Sequence, residues 1–315
     1  MQPSVENSSI QRVLILGAGW TGKQIAAQCL AHQKSVILVD PNVDVLQEAP
    51  HWIRKHIEER IREGTWAGGR LDDRDEHRLV LLEDAADAAS MEPKIDLVIE
   101  TVVEQIAVKR RALAKASQCF SHETLIVSNS SYFVPSMLAK YVTQPERYAH
   151  FHFHVPIWQT QVVDVVPSST MPLESVKRLQ SFANEIGQRP IVEVRENPGY
   201  IFNWLLQSWL KAALQLLDRK IATPEEIDWV WTQVSGMKVG PFGTMDWIGL
   251  DVIQQILANG RWVEGGEENA KWMDLLQPLL DQQSLGVKSG RGFFEYGATE
   301  VPLNSGNQVE KKPEE

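Results

Sequence analysis

Cysteine, positive charge and long apolar runs are all scarce in this sequence. Its 315 residues include two cysteines, and its formal net charge is −10 at pH 7. Because nucleic acids bind basic surfaces, the acidic balance argues against a nucleic-acid partner. No run approaches the ~18 consecutive apolar residues that a membrane span needs, and the first residues lack the basic and apolar regions of a secretion signal. We therefore expect neither a nucleic-acid partner nor a membrane partner.

The two cysteines, Cys29 and Cys119, lie in apolar stretches with a helical pattern. Buried free thiols are a simpler interpretation of such positions than a disulfide or a catalytic pair. Free thiols and the missing secretion signal together indicate a cytoplasmic protein. The composition, with 43% hydrophobic and 23% charged residues, is that of an ordinary globular protein, and the length predicts two domains.

Residues 1–195 carry the alternating pattern of an α/β domain. A strand at 13–16, a glycine turn, a helix at 22–32 and a strand at 36–40 form a βαβ unit. Its strands are almost continuously apolar, which is typical of a parallel sheet covered on both faces. Further strands are predicted at 79–82, 97–101, 125–128, 148–154, 162–166 and 190–194. The stretch 51–78 is expected to be a helical excursion from this Rossmann-like fold. Its pattern is charged and helical up to Gly64 and is then broken by Gly64, Gly68 and Gly69.

Residues 196–297 are expected to form an all-helical domain, because a long apolar helical run begins there and no strand pattern follows. Thr223-Pro224-Glu225-Glu226 has the order of a capping box with proline at the first helical position. Large apolar residues exceed the needs of a core of this size, among them Trp204, Trp209, Trp229, Trp231 and Trp247. They indicate either a homodimer interface or plain core packing. The polar residues 298–315 are expected to be disordered.

The segment Gly17-Ala18-Gly19-Trp20-Thr21-Gly22 follows a strand and opens a helix. In that context the pattern GxGxxG predicts a dinucleotide site. Gly17 permits the tight turn, Gly19 lets a pyrophosphate approach backbone N–H groups, and Gly22 permits close contact of helix and strand. The candidate cofactor-binding residues of this turn are Gly17, Gly19, Trp20, Thr21 and Gly22.

Asp40 ends the second predicted strand. A carboxylate at that position accepts both ribose hydroxyls of NAD and repels the 2′-phosphate of NADP. No Arg or Lys occurs between Asp40 and Arg54 to bind such a phosphate. NAD is therefore the expected cofactor, and a flavin-type or cofactor-free domain of the same shape is the alternative.

His150, His152 and His154 alternate along one predicted strand, whose period of two places them on one face. The first hypothesis is a metal site, but the sequence identifies no further ligand, so no metal is assigned. In the second, one or two of the histidines are structural. In the third, one histidine is the general base that takes the O–H proton while a hydride leaves for NAD.

A series of segments between residues 12 and 296 carries a resemblance to one known family. In order, they are the Gly17 turn, ETVVEQIAVK, SNSS, ERYAHFHFHVP, ENPGYIFN, GPFGTMDWIGLD and KSGRGFFEY. The chain thereby resembles the 3-hydroxyacyl-CoA dehydrogenases across nearly its whole length. The resemblance implies an NAD-dependent oxidoreductase whose small-molecule substrate is a 3-hydroxyacyl or 3-oxoacyl compound, carried as a CoA thioester.

The same resemblance implies four catalytic residues. His152 falls on the acid/base of the family, Ser131 on its hydrogen-bonding serine, and Asn203 on its substrate-side asparagine. The carboxylate that orients the family histidine falls on Asp164, where glutamate is usual. An aspartate can hold the imidazole tautomer in the same way, although it reaches one methylene less.

Glu104, Lys109 and Asn129 complete the cofactor residues implied by the resemblance. Glu104 and Lys109 fall on positions near the nicotinamide ribose. Their alternative interpretation is an exposed first turn of a helix.

Two departures from the family pattern concern the substrate. Val155-Pro156 replaces Asn-Pro, with His154 in the place of a phenylalanine, and the turn ending at Tyr200 replaces Pro-Gly-Phe. The surrounding segments resemble the diketoreductase branch, so a CoA-free 3-oxo or dioxo acid or ester is the alternative substrate. A third hypothesis is a non-catalytic, NAD-binding structural protein, which the retained candidate catalytic residues argue against.

The helical excursion offers a further test of the CoA hypothesis. It carries four basic residues, Arg54, Lys55, Arg60 and Arg62. If the substrate is a CoA thioester, these residues would contribute to CoA binding. In the alternative interpretation they form a solvated helix face paired with Glu58, Glu59 and Glu63.

Overall fold

The computed structural model describes residues 9–66, 68–71, 77–91, 93–258 and 266–297. The chain divides into two units, Met1–Tyr200 and Ile201–Glu315. Among the described residues, none of the helices has the length and apolar content that crossing a bilayer requires. Residues 298–315, which we expected to be disordered, lie outside the described part of the chain.

The first unit is built on an eight-stranded sheet, counted over the described residues. Its strands are β1 (Arg12–Leu16), β2 (Ser35–Val39), β3 (Leu79–Leu82), β4 (Leu97–Glu100), β5 (Leu125–Ser128), β6 (Tyr148–Phe153), β7 (Val162–Pro167) and β8 (Arg189–Val192). The spatial order is β3-β2-β1-β4-β5-β6-β7-β8. Neighbouring strands are parallel except β6 and β7, which pair antiparallel. The predicted α/β architecture is confirmed.

Helices cover both faces of this sheet, which agrees with the mostly apolar sequences of β1, β2, β4 and β5. They are α1 (Trp20–Ala31), α2 (Val43–Arg62), α3 (Ile106–Cys119), α4 (Pro135–Leu138), α5 (Ile157–Thr160) and α6 (Leu173–Glu185). Side chains of α1, α2 and α6 pack with one face of the sheet in a core that includes Ile25, Ile53 and Phe182. Those of α3 and α4 pack with the other face around Leu113 and Leu138.

The helical excursion begins earlier than the charge pattern indicated. We expected a helix over 51–64, but α2 starts at Val43. The side chain of Asn42 caps it by accepting hydrogen bonds from the N–H groups of Asp44 and Val45, and such a cap satisfies donors that the first turn leaves free. Pro50 lies inside this helix, so the sequence expectation of a later start was wrong.

The second unit is helical, as predicted. Its helices are α7 (Tyr200–Asp218), α8 (Pro224–Ser235), α9 (Pro241–Ile248), α10 (Leu250–Ala258) and α11 (Gly266–Asp281). The capping box at the start of α8 is confirmed, because Thr223 and Glu226 exchange side-chain and backbone hydrogen bonds. The core of the unit gathers Leu214, Phe242, Met245, Ile253 and Leu276.

Candidate active site

The glycine turn between β1 and α1 has the shape of a phosphate cradle. Gly17 adopts a φ of +104°, which favours glycine, and a Cβ on Gly22 would lie 1.9 Å from the carbonyl oxygen of Gly17. A Cβ on Gly19, by contrast, would meet nothing within 4 Å. The turn therefore closes tightly around Gly17 and Gly22 and leaves open space beside Gly19. This arrangement fits a pyrophosphate at the N-terminus of α1.

Asp40 stands beside this turn, at the carboxyl end of β2. One carboxylate oxygen accepts a hydrogen bond from the N–H of Ala18 at 2.9 Å, and the other accepts from the N–H of Asn42 at 2.9 Å. Because a carboxylate oxygen has two lone pairs, each oxygen retains acceptor capacity for a ribose hydroxyl. Trp20 and Thr21 lie in the first turn of α1, where the Trp20 ring packs edge-on against Trp52 with centroids 5.4 Å apart.

Lys109 is buried, so its interpretation as part of an exposed helical turn is wrong. Its ammonium group contacts Glu100 at 2.9 Å, Glu104 at 3.1 Å and the carbonyl oxygen of Val102 at 3.2 Å. Burial acts to lower the pKa of Lys109, but the two glutamates outweigh it and raise that pKa above its ordinary value. The three donors of the ammonium group thus have protein acceptors, and Lys109 fixes Glu104 in place.

Glu104 and Asn129 are held at the carboxyl ends of β4 and β5. The hydroxyl of Ser130 donates to Glu104 at 2.5 Å. The side-chain oxygen of Asn129 accepts from the N–H of Phe153 at 2.8 Å, which ties the loop after β5 to the end of β6. Both residues lie on the edge of the sheet that carries the glycine turn, because parallel strands end at a common edge.

His152, Asp164 and Ser131 form a continuous hydrogen-bonded set. His152 and Asp164 are directly opposed on β6 and β7, and His152 Nδ1 lies 3.0 Å from Asp164 Oδ2. The other ring nitrogen, Nε2, lies 3.1 Å from the hydroxyl oxygen of Ser131. Three of the four predicted catalytic residues are therefore adjacent. The fourth, Asn203, lies in α7 of the second unit.

His154 is a second partner of the same carboxylate, which the sequence did not predict. Its Nε2 lies 2.9 Å from Asp164 Oδ2, the oxygen that also contacts His152. The strand β6 ends at Phe153. His154 therefore lies outside the strand, and its side chain is not held at the regular strand spacing from the side chain of His152. The two imidazole rings meet edge to face with centroids 4.7 Å apart.

His150 is fully buried and bridges two tyrosines. Its Nε2 lies 2.8 Å from the hydroxyl of Tyr148, and its Nδ1 lies 2.7 Å from the hydroxyl of Tyr200. The Tyr200 hydroxyl donates to the carbonyl oxygen of Ser130 at 2.7 Å or that of Phe133 at 3.0 Å. It must therefore accept the Nδ1 proton of His150, which fixes one neutral tautomer. Burial holds the pKa of His150 well below its ordinary value.

Tyr200 is the other residue whose part the sequence did not reveal. It adopts a left-handed φ of 55°, and its ring packs 4.9 Å from the His152 ring. The only signal in the sequence was the Tyr that replaces Phe after Pro-Gly. The hydroxyl group explains the replacement, because it supplies the partner that buried His150 requires.

The burial of His152 favours a neutral imidazole. Burial lowers the pKa of His152, and the hydrogen bond to Asp164 opposes that effect without cancelling it. For Asp164, burial acts to raise the pKa, but the hydrogen bonds with His152 and His154 outweigh it and the pKa lies below its ordinary value. A neutral imidazole beside an ionised carboxylate can accept a proton at Nε2 and be stabilised as imidazolium.

The basic residues of α2 have acidic neighbours. The guanidinium of Arg60 lies 2.7 Å from Glu63 and 3.9 Å from Glu59, and it also stacks over the ring of Trp158. The pairing with glutamates agrees with the alternative interpretation for Arg60, but its side chain is only 17% exposed, so this residue does not lie on a solvated face. Lys55 and Arg62 are exposed.

Family models match almost the whole chain. A model described as the NAD binding domain of 3-hydroxyacyl-CoA dehydrogenase matches residues 12–197, and one described as the C-terminal domain of that enzyme matches residues 199–296. The mitochondrial hydroxyacyl-coenzyme A dehydrogenase of Mus musculus is 31% identical over 297 residues, which cover 91% of each chain. The 3-hydroxybutyryl-CoA dehydrogenase of Mycobacterium tuberculosis is 27% identical, over 92% of this chain and 100% of the relative.

A solved structure is also similar. A diketoreductase, described as catalysing reactions of dicarbonyl compounds, has a TM-score of 0.80 and 31% sequence identity to this chain. The likeness covers 92% of this chain and 100% of the diketoreductase.

Proposed function

Because the chain belongs to the 3-hydroxyacyl-CoA dehydrogenase family, an NAD-dependent oxidoreductase family acting on CH–OH groups, we propose that it interconverts 3-hydroxyacyl-CoA and 3-oxoacyl-CoA. The observation that carries the proposal is the position of His152 between Asp164 and Ser131, at 3.0 and 3.1 Å. This is the arrangement of an acid/base, an orienting carboxylate and a hydroxyl that binds the same substrate oxygen.

Asp164, His152 and Ser131 each have a separate role in the proton transfer. Asp164 accepts the Nδ1 proton of His152, so Nε2 carries the lone pair. That lone pair accepts a hydrogen bond from the Ser131 hydroxyl when no substrate is bound, and takes the proton of the substrate hydroxyl when one is. The Ser131 hydroxyl, beside Nε2, orients the substrate oxygen during that transfer. NAD, when bound, accepts the hydride from the substrate carbon. In the reverse direction the imidazolium returns its proton to the carbonyl oxygen, and Asp164 stabilises the cation until then.

The cofactor is held by a different group of residues. The glycine turn receives the pyrophosphate, and Asp40 binds the ribose hydroxyls of the adenosine half. Glu104, kept in place by Lys109 and Ser130, and Asn129 lie at the strand ends where the nicotinamide half is expected. Asn203 contributes to the substrate side.

A CoA-free substrate is a second candidate, favoured by two observations. The diketoreductase matches 92% of this chain at 31% sequence identity. The CoA-dependent mouse enzyme matches 91% of this chain, also at 31% identity. His154 also makes the site more polar than the family phenylalanine would. A CoA-free 3-oxo or dioxo ester would then bind beside the same acid/base, His152, and would make no contacts along α2.

One substrate panel tests both candidates. Purified protein is assayed by NADH absorbance with acetoacetyl-CoA and longer 3-oxoacyl-CoA esters, and in parallel with the free 3-oxo acids and a dioxo ester. We expect kcat/KM to be at least tenfold higher for the CoA esters. Higher values for the free acids or the dioxo ester would replace the first candidate by the second, and no turnover of any compound would leave only the non-catalytic hypothesis.

The assembly proposed for this enzyme is a homodimer through the second unit. Large apolar side chains are exposed on α7 and α8, including Phe202 at 55%, Leu205 at 62% and Trp229 at 66%. Such a density is typical of a covered interface. Sedimentation should give about twice the chain mass of 35.6 kDa. The cytoplasm is the proposed location, because Cys29 and Cys119 are both free thiols.

A further inference from the structure

The carboxylate of Asp164 and the two histidines that share it have the composition of a metal site. One ligand atom from each of His152, His154 and Asp164 lies within 4.8 Å of the other two. We propose that these three residues bind a zinc ion, which switches the enzyme off. The inhibitory half of this proposal rests on the proposed function of His152, whereas the binding half does not.

The distances between the ligand atoms are close to those of a zinc site. Asp164 Oδ2 lies 3.0 Å from His152 Nδ1 and 2.9 Å from His154 Nε2. Two ligand atoms of a tetrahedral zinc ion stand about 3.3 Å apart, given metal–ligand bonds near 2.0–2.1 Å. Each contact therefore has to open by a few tenths of an ångström, and the His154 ring has to turn toward His152. Water can complete the coordination.

The chemistry of the three donors suits zinc over the common hard cations. Zinc accepts imidazole nitrogen and carboxylate oxygen together, whereas magnesium and calcium are bound mainly by oxygen. The His154 side chain is 14% exposed, against 6% for His152 and 3% for Asp164. An ion would thus enter beside His154.

Zinc at this position would disable the base by changing its tautomer. Without metal, His152 carries its proton on Nδ1, where it donates to Asp164, and His154 carries its proton on Nε2. Coordination needs a lone pair on each of these nitrogens, so both protons move to the opposite ring nitrogen and none leaves the protein. His152 Nε2 then bears hydrogen and cannot take the substrate proton. A divalent cation at Nδ1 also opposes imidazolium formation, so reduction is blocked as well.

His154→Gln is the variant that isolates the metal site. The glutamine amide can still donate a hydrogen bond to Asp164 but is a poor zinc ligand. His154→Phe, with the residue of the family motif, is the second variant in case the first perturbs the fold. His122→Gln is the matched control, because His122 is exposed and lies on the loop before β5, outside the site.

Zinc binding is measured first, without substrate or cofactor. The metal-free protein is titrated with ZnCl₂ in competition with a chromophoric chelator. We expect one zinc ion per chain for wild type and His122→Gln, and at least tenfold weaker binding for both His154 variants. Equal affinity in wild type and the His154 variants would overturn the site, whatever substrate the enzyme takes.

Inhibition is measured next, with each variant compared with its own rate in EDTA. ZnCl₂ should inhibit wild type and His122→Gln in both reaction directions, and EDTA should restore the rate. Half-inhibition of His154→Gln should require at least tenfold more zinc. Stoichiometric binding that leaves the wild-type rate unchanged would refute the switch while leaving the binding site in place. A protein inactive on the whole substrate panel but with His154-dependent zinc binding would instead refute the proposed function.

Discussion

His152 and Asp164 are directly opposed across the antiparallel pair β6–β7, and the contact between their side chains, 3.0 Å long, follows from that register. Side chains of directly opposed residues project from the same face with Cβ atoms about 4.5–5.5 Å apart. That separation is short enough for an aspartate to reach an imidazole. The methylene by which Asp164 is shorter than the usual glutamate therefore does not break the pair.

Substitution of the proposed base tests this pair most directly. His152→Ala removes the group that takes the substrate proton, and loss of a general base costs about 10²–10⁴-fold in rate. We expect kcat to fall by that factor while the Kd for NADH, measured by fluorescence titration, stays within about twofold, because the proposed cofactor contacts are made by the glycine turn, Asp40, Glu104 and Asn129.

Two further variants control for the loss of packing. Asp164→Asn keeps the shape of the side chain but removes the charge that stabilises imidazolium, so a smaller yet clear loss of kcat is expected. His122→Ala, on an exposed loop, should retain the wild-type rate. A His152→Ala enzyme within tenfold of wild type would show that another group moves the proton.

The pH dependence should reveal the burial of His152. Its pKa lies below the ordinary value of 6.5 because burial disfavours the imidazolium. Oxidation needs the neutral form, so kcat/KM for oxidation should fall as the pH drops through a midpoint that lies below 6.5. Reduction needs the imidazolium, so its kcat/KM should rise as pH falls through the same pKa. Profiles in EDTA that turn above pH 6.5 in either direction would contradict this assignment.

Asp40 should set the choice of nicotinamide cofactor. Its carboxylate would repel a 2′-phosphate, and we expect a strong preference for NADH over NADPH. Asp40→Ala should narrow the ratio of the two kcat/KM values by at least about tenfold, equivalent to 1.4 kcal/mol, and should raise KM for NADH without abolishing binding. Asp44→Ala, on the exposed first turn of α2, is the control and should leave the ratio unchanged. Comparable wild-type rates with both cofactors would refute the assignment.

Removing one partner of the buried ion pair of Lys109 and Glu100 should destabilise the fold strongly. Removing one partner of such a pair leaves an uncompensated buried charge, which costs about 3–5 kcal/mol. Lys109→Met should lower the free energy of unfolding in urea by this amount, and the double variant Lys109→Met with Glu100→Gln should recover part of it. Lys115→Met breaks an exposed pair with Asp84 and should change little. A loss below 1 kcal/mol for Lys109→Met would mean that solvent reaches the pair.

Local patterns in the sequence were sufficient for most of the architecture. The apolar runs of β1, β2, β4 and β5 and the capping signals at Thr223 specify their elements through neighbouring residues alone, and these predictions are confirmed. The charge pattern indicates only the second half of α2. The start of the helix is set instead by the cap at Asn42.

The candidate site was predicted incompletely for a different reason. That His154 shares Asp164 depends on where β6 ends and on the register of β6 against β7, and neither is a property of the His-x-His spacing. The burial of Lys109 likewise depends on how the connection between β4 and α3 folds back, so that Glu100 and Glu104 both contact its ammonium group. Tyr200 contacts His150 although the two residues are 50 positions apart in the chain, with β7, α6 and β8 between them. Contacts of this kind arise from tertiary packing, which alternation along one segment does not encode.

The three glycines of the cofactor turn differ in what they contribute to the apoprotein. Gly17 and Gly22 are required by the fold itself, through a positive φ and a 1.9 Å approach to backbone. Gly19 adopts φ −67° and ψ −169°, which any L-residue accepts, and a Cβ there would contact nothing. Within these six residues, the two glycines that folding requires are therefore different from the glycine that cofactor binding requires. Gly19→Ala would supply a natively folded, cofactor-free reference protein against which occupancy-dependent changes elsewhere in the chain can be measured.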